Sequence, residues 1–561
     1  MSADAILRAL NAGQMREQAR DLSAAERQAV ATFLSGGTKQ ASPAISPAAR
    51  CAGDVRPLPG PSWNGFGASL TNSRFQSSES AGLSLADVPK LQLRWAFGLG
   101  DVTNARGQPV VAAGRLFITS GIGGVYALDP KSGCSYWDFT TDAPVRSGVV
   151  AGDGANPRVF FGDAAANMYA LDAANGKLLW KVQVERHPAA VITDTPAYFA
   201  GAVYVGVSST EEFAGADPKY ECCSFRGSVV ALDAGTGKVI WQTYTIAEKP
   251  QPTSKSKTGA QRWGPSGAAV WSTPTIDVKR NAVYIATGDN YSDPPTKSSD
   301  AVIALDRTTG QILWSQQMTA NDAFTVDCVR PEKTNCADTN GPDFDFGQPP
   351  ILASIAEGRQ ILVIGQKSGV AHGLDPDAKG KILWQMRIGQ GSSLGGIEWG
   401  SAIDQQNMYV ALSDISFRSA APDPEHPGRR TFELDPEKGG GVFALDLATG
   451  KKVWTAPPAS CGNRRHCSPA QMSAVSAIPG VVFEGSVDGH LRAYESKAGA
   501  VVWDFDTARE YDTLSGQKAH GGAIDAGGPA IVGGMVYVYS GYGQWGGMPG
   551  NVLLAFGVEG K

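Results

Sequence analysis

One phrase recurs along this chain and constrains its fold more than any other feature. It reads Ala-x-Asp-x-x-(Ser/Thr/Asn)-Gly-x-x-x-Trp. Copies run from Ala127 to Trp137, Ala170 to Trp180, Ala231 to Trp241, Ala304 to Trp314 and Ala444 to Trp454. Two are worn: Gly373–Trp384 has one extra residue, and Ala493–Trp503 has Glu495 for the Asp. The eighth is split, with Leu91–Trp95 reading as the Trp end and Val552–Phe556 as the Ala-x-Asp end. A repeat divided between the two termini is how a closed ring pairs its last strand with its first.

Each copy reads strand, Gly turn, strand. The glycines (Gly133, Gly176, Gly237, Gly310, Gly450) suit a hairpin position with positive φ. Val229, Ala231 and Asp233 alternate with Val230 and Leu232, a period of two and therefore β. Repeated sheets of about four strands around an axis make a β-propeller, here all-β with eight blades. The Trp spacing runs from 42 residues (Trp95 to Trp137) to 73 (Trp241 to Trp314). A bare blade needs roughly 40–50 residues. The longer intervals therefore carry loops, where function is expected. The ring over 61–561 overrides the three or four domains that length alone would suggest.

Composition agrees, with 68 Gly, 34 Pro and 13 Trp. A net charge of −5 gives no basic surface for nucleic acid. No run of 18 apolar residues predicts a membrane span, and the first residues do not read as a signal peptide.

The first 35 residues read as helical. Ser23-Ala-Ala-Glu26 is a capping box, and Val30, Phe33 and Leu34 fit one helical face. Residues 36–60 have a linker's Gly, Ala, Ser and Pro content. The arm resembles the end of a class I cytochrome c domain, with Gly13-Gln14-Met15 at the haem-ligand position. No Cys-x-x-Cys-His occurs, so covalent haem is not supported. The arm reads as the remnant of such a domain or as a plain helical arm.

Eight cysteines permit four disulfides. Spacing suggests Cys328–Cys336 and Cys461–Cys467. Cys222 and Cys223 could join as neighbours, which leaves Cys51 with Cys134. Metal binding by Cys461, Cys467 and His466 is the alternative for that pair, without a second Cys/His pair to support zinc. Four disulfides imply an oxidising compartment, periplasmic or secreted.

The repeat resembles the tryptophan-docking motif of eight-bladed quinoprotein alcohol dehydrogenases, which bind pyrroloquinoline quinone (PQQ) and calcium. The resemblance covers about 60–561. Val203–Glu211 looks like the segment whose terminal Glu binds calcium, which implies Glu211 as a ligand and Ser208, Ser209 and Thr210 near the quinone carboxylates. Val270-Trp271-Ser-Thr-Pro resembles the segment whose Trp stacks under the quinone. Ala286–Asn290 falls on the calcium-binding Asn segment, with Asp289 matching by count and Asn290 by type. Thr319-Ala-Asn-Asp322 resembles the segment holding the catalytic base, which implies Asp322 as base and as a further metal neighbour. Asp343 and Asp345 follow an inserted Cys328–Cys336 loop and are the rival bases. Lys367 matches a basic residue at the quinone oxygens, with Arg146 and Thr193 as weaker cofactor contacts. In this family the vicinal cysteines lie one blade earlier than Cys222-Cys223, where this chain reads Val145-Arg-Ser-Gly148. Pro61–Gly67, Cys222–Gly227, Gly341–Gly347 and Ser540–Gly543 resemble the branch acting on polyvinyl alcohol. The implied partners are an alcohol, polymeric in that branch, and a cytochrome c electron acceptor.

The chemistry suits these residue types. A flat quinone stacks on an indole such as Trp271. Carboxylates are hard donors for calcium, which polarises a quinone carbonyl. A carboxylate can take the alcohol proton. Each residue also has a plain reading: most propeller Trp are core, Glu211 and Glu212 could be a solvated pair, Asp322 a turn former, and Lys367-Ser-Gly a hairpin turn. A binding or assembly propeller without chemistry is the competing function.

Overall fold

The computed structural model describes residues 45–52, 59–420 and 432–560, with a few positions between 7 and 31. It divides into two units, Met1–Ile45 and Ser46–Lys561. In the first, the capping box is formed: Ser23 N donates to Glu26 Oε2 at 2.7 Å and Glu26 N to Ser23 Oγ at 3.3 Å. Gly13–Met15 lies outside the described residues.

The second unit is a ring of eight antiparallel sheets, seven of four strands and the third of five, where Ala197–Phe199 adds to the edge of Ala202–Ser209. Numbered in chain order, blade 1 spans Val110–Ala112 to Ser135–Thr140, blade 2 Val150–Ala151 to Leu178–Gln183, and blade 3 Ala190–Val191 to Val239–Tyr244. Blade 4 spans Thr275–Asp277 to Ile312–Gln317, blade 5 Ile351–Ser354 to Lys381–Arg387, blade 6 Ala402–Ile403 to Lys452–Ala456, and blade 7 Ser476–Ile478 to Val501–Asp506. Blade 8 closes the ring: Gln92–Gly98 pairs antiparallel with Val552–Gly557, so the split repeat is one sheet.

The repeat interlocks neighbouring blades. Each Trp sits opposite the repeat's Ala, as Trp137 does opposite Ala127, and Trp384 sits opposite Gly373. Seven of the eight indoles donate to a carbonyl of the next blade at 2.8–3.2 Å. The eighth, Trp314, faces the worn copy with its extra residue. The Gly is required twice. Gly176 has φ +73°, and a Cβ there would fall 2.7 Å from the Trp137 ring. The Asp closes the turn, as where Asp233 Oδ1 accepts from Thr236 N at 2.8 Å.

The alternation is realised as two cores. Val230 and Leu232 bury against blade 2, while Val229 and Ala231 bury against blade 4. Each fully buried Val or Leu stabilises by roughly 1.5–3 kcal/mol. A strap before the first blade crosses the hub. Its main chain bonds to Val111, Ile276, Leu352, Ile403 and Ala477 of five blades, and fully buried Arg74 donates to Val475 O, Phe66 O and Pro529 O. The four disulfides are Cys51–Cys134, Cys222–Cys223, Cys328–Cys336 and Cys461–Cys467. The first ties part of the 36–60 stretch to blade 1, so the compact unit begins at Ser46.

Candidate functional site

In an antiparallel blade, the connection from the second to the third strand and the one into the next blade lie at the same end of the ring. There these connections enclose a cavity of about 270 Å³. Trp271, Arg146, Thr193, Ser208, Ser209, Thr210, Asp289 and Lys367 all line it. They come from loops and strand ends of successive blades, which the ring brings to one axis.

Trp271 forms one wall. Its indole meets Trp399 edge to face, centroids 5.4 Å apart, and Lys367 Nζ lies 5.5 Å from its ring centroid. A Cβ on Gly347 would fall 2.5 Å from the Trp271 ring, so glycine is needed there. Lys367 Nζ bonds Asp343 Oδ1 at 2.9 Å and Asp345 Oδ2 at 3.1 Å. Asp289 N donates to Asp345 Oδ1 at 2.7 Å, and Asp289 Oδ2 accepts from Phe324 N at 2.8 Å. Ligand oxygens of Asp289, Asp343 and Asp345 lie within 4.8 Å of one another. Asp289 Oδ1 is buried with no hydrogen-bond partner among the described residues. Burial, then the charges of Asp345 and Asp343, hold the Asp289 carboxyl well above the usual carboxylate range. Burial also raises Asp343, against the pull of Lys367. Carboxylates packed this closely, one with an orphaned buried oxygen, fit a hard cation bound through oxygen.

Glu398 and Glu212 are the fourth and fifth carboxylates in the lining, and burial pushes the Glu212 pKa to about 7. Its neighbour Glu211 does not line the cavity. Fully buried, Glu211 accepts from Ser224 N at 2.9 and 3.0 Å, from Phe225 N at 2.8 Å and from Tyr220 Oη at 3.0 Å. It fixes the loop that carries Cys222-Cys223. Those cysteines belong to the buried apolar cluster against which Trp271 packs and do not line the cavity.

Asp322 and Asn290 are likewise occupied elsewhere. Asp322 accepts from Asp343 N at 3.0 Å and Phe344 N at 2.8 Å, so it holds the segment that presents Asp343 and Asp345. Burial raises its pKa to about 6, offset by those two N–H donors. Asn290 Oδ1 accepts from Thr296 N at 2.7 Å, and its Nδ2 donates to Ser266 O at 2.9 Å. Of the four expected metal residues, only Asp289 lines the cavity.

On the remaining wall, Thr193 Oγ1 is buried without a partner among the described residues, and Arg146 stacks over the Trp399 ring at 4.6 Å. Burial lowers the Arg146 pKa to about 10, which leaves a cation facing the cavity. Sequence reasoning gave Glu212 only as half of a solvated pair and did not single out Trp399, Trp545, Tyr291 or Glu398, which also line it. A signal existed for two of them. Five of the 13 Trp lie outside the repeat, and three of those five (Trp271, Trp399, Trp545) face the cavity.

Residues 63–341 match the beta-propeller domain of PQQ-type glucose/ethanol/alcohol dehydrogenases, and residues 298–546 match the outer membrane protein assembly factor BamB. A polyvinylalcohol dehydrogenase of Pseudomonas sp. is 43% identical over 99% of this chain and 89% of its own length. One from Sphingopyxis sp. (strain 113P3) is 42% identical, over 89% of this chain and 77% of that protein. The crystal structure of the quinohemoprotein alcohol dehydrogenase from Comamonas testosteroni is 20% identical, covers 92% of this chain and 83% of its own, and superposes with a TM-score of 0.65.

Proposed function

This chain belongs to the PQQ-dependent alcohol dehydrogenase family, and from that premise we propose that its cavity oxidises secondary hydroxyl groups of polyvinyl alcohol to ketones. The observation that carries the reading is the Lys367–Asp343–Asp345–Asp289 cluster beside Trp271, at the place where loops of successive blades converge. The naming of both close relatives supports the substrate. A binding scaffold has no use for buried carboxylates crowded around an orphaned oxygen.

The residues fit the family's cofactors. Trp271 would stack on PQQ, with Arg146, Thr193, Ser208, Ser209 and Thr210 near its carboxylates. Glu212, Asp289 and Asp345 would hold calcium, in place of the expected Glu211, Asn290 and Asp322. When bound, PQQ accepts the hydride equivalent and calcium polarises its quinone oxygen. The protein's part is positional and acid–base. Asp343 takes the hydroxyl proton of the alcohol. Its Oδ1 is held by Lys367, which fixes the carboxylate's direction. Asp322 is a positioning residue, because its two N–H acceptances set the main chain of Asp343 and Phe344.

The disulfides support a periplasmic or secreted setting. Among the described residues no helix is long and apolar enough to cross a membrane. A cytochrome c is the electron acceptor in this reading. The test adds PQQ and calcium to the purified protein and follows dye reduction with polyvinyl alcohol and 2-propanol. Turnover that requires both additions supports the reading; none with either alcohol defeats it.

A further inference from the structure

The cavity changes character from its floor to its mouth. Inside lie the carboxylates, Lys367 and Arg146. At the mouth stand Phe213 and Val329, with Val326, Leu394, Trp545 and the buried Met472 completing this apolar side of the lining. Phe213 is 45% exposed and Val329 71% exposed, so this apolar surface is open to solvent.

Two of these side chains meet across the ring. Phe213, from a loop of blade 3, stacks on Trp545, from a loop of blade 8, with centroids 6.1 Å apart and 23° between planes. Blades 3 and 8 are not neighbours, so the pair arches over the hub. Both ends are anchored. Phe213 lies in the turn Glu211–Ala214, whose Glu211 is fixed by two main-chain donors. Trp545 packs against the cluster of Met472 and Leu434, and the preceding Gln544 accepts from Arg106 Nη1 at 2.9 Å.

We propose that Phe213 and Trp545 form a clamp for the hydrocarbon that flanks the reacting hydroxyl. They make the site select hydroxyls on an extended aliphatic chain over compact alcohols. This rests on the alcohol-oxidising reading above. A charged interior under an apolar arch suits a substrate whose hydroxyl enters and whose carbon chain stays at the rim. Glu212 and Phe213 are consecutive, so the residue facing the metal site and the one gripping the chain share a turn.

The test uses the holoenzyme with PQQ and calcium and a series from 2-propanol to 2-octanol. Each methylene gripped by the clamp should raise kcat/KM about three- to fourfold. Phe213→Ala and Trp545→Ala should each flatten that rise, mainly through KM, while Trp545→Phe keeps it. Thermal unfolding with and without calcium verifies that each variant is folded. A wild-type profile that is flat, or one that stays equally steep in both alanine variants, overturns the clamp alone. Absence of turnover with every alcohol overturns the functional reading as well.

Discussion

Asp343→Asn and Asp322→Asn separate the proposed base from its support. Removing a positioned general base costs about 10²–10⁴ in rate, or roughly 3–5 kcal/mol of barrier. In Asp343→Asn the amide oxygen still faces Lys367, which also keeps Asp345 at 3.1 Å, so the pocket retains its shape. Asp343→Asn should therefore unfold at nearly the wild-type temperature, bind PQQ, and turn over at least a hundredfold more slowly. Asp322→Asn does the reverse. Its carboxylate accepts two main-chain N–H groups, and an amide can accept only one of them while turning its own NH₂ toward the other. Losing a hydrogen bond to a charged group costs about 1.5–3 kcal/mol, visible as a lowered Tm. The rate should fall by less than tenfold, because Asp343 keeps its carboxylate. The assay is kcat with saturating PQQ and calcium, alongside PQQ binding read from Trp fluorescence quenching. A hundredfold loss in Asp322→Asn, with Asp343→Asn within tenfold of wild type, would refute the assignment and restore Asp322 as the base.

The adjacent glutamates should diverge in the same way: Glu211→Gln lowers Tm with or without calcium, whereas Glu212→Gln leaves the metal-free Tm near wild type and removes the calcium-induced rise, both read by thermal unfolding. Chelation should lower Tm and calcium restore it, the bound ion adding about 2.7 kcal/mol of stability at a hundredfold excess over Kd. Five lining carboxylates against Lys367 and Arg146 should also let a trivalent cation of similar radius displace calcium, measurable by calorimetric competition. Glu484, buried in blade 7 with Oε1 unpaired among the described residues, has its pKa raised by burial to about 8, above its ordinary value of 4.5. The folded state therefore holds the extra proton between those values, and its contribution to stability is lost as pH rises through that window. Glu484→Gln removes this loss, so its stability relative to wild type, read through Tm, should climb from pH 5 to pH 8, by at most about 1.4 kcal/mol per pH unit. A Tm difference that does not change with pH would contradict it.

The ring was legible because its signals are local. The Gly under each indole, the Asp that closes each turn and the period-two alternation all act over a single hairpin, and the split eighth copy forced closure. Trp271 and Lys367 were reached through the resemblance of their short segments to those of the family, and the fold brings both to the cavity. Tertiary structure alone decided which carboxylates face the axis. Glu211 and Glu212 differ by one position on a single turn, and a count along the chain cannot tell which one the backbone of Ser224 and Phe225 captures. Between Asp322 and Asp343 the Cys328–Cys336 loop intervenes, and the resemblance of Thr319-Ala-Asn-Asp322 to a family segment put the expected base before that insertion. In the fold, the carboxylate before the insertion bonds to the main chain after it, and the alternation of Asp343, Phe344 and Asp345 turns the two later carboxylates together toward Lys367. Propensity and repeat spacing fix the path of each strand. Where a loop's charge ends up depends on which buried N–H groups need an acceptor, and those lie on other blades and other loops.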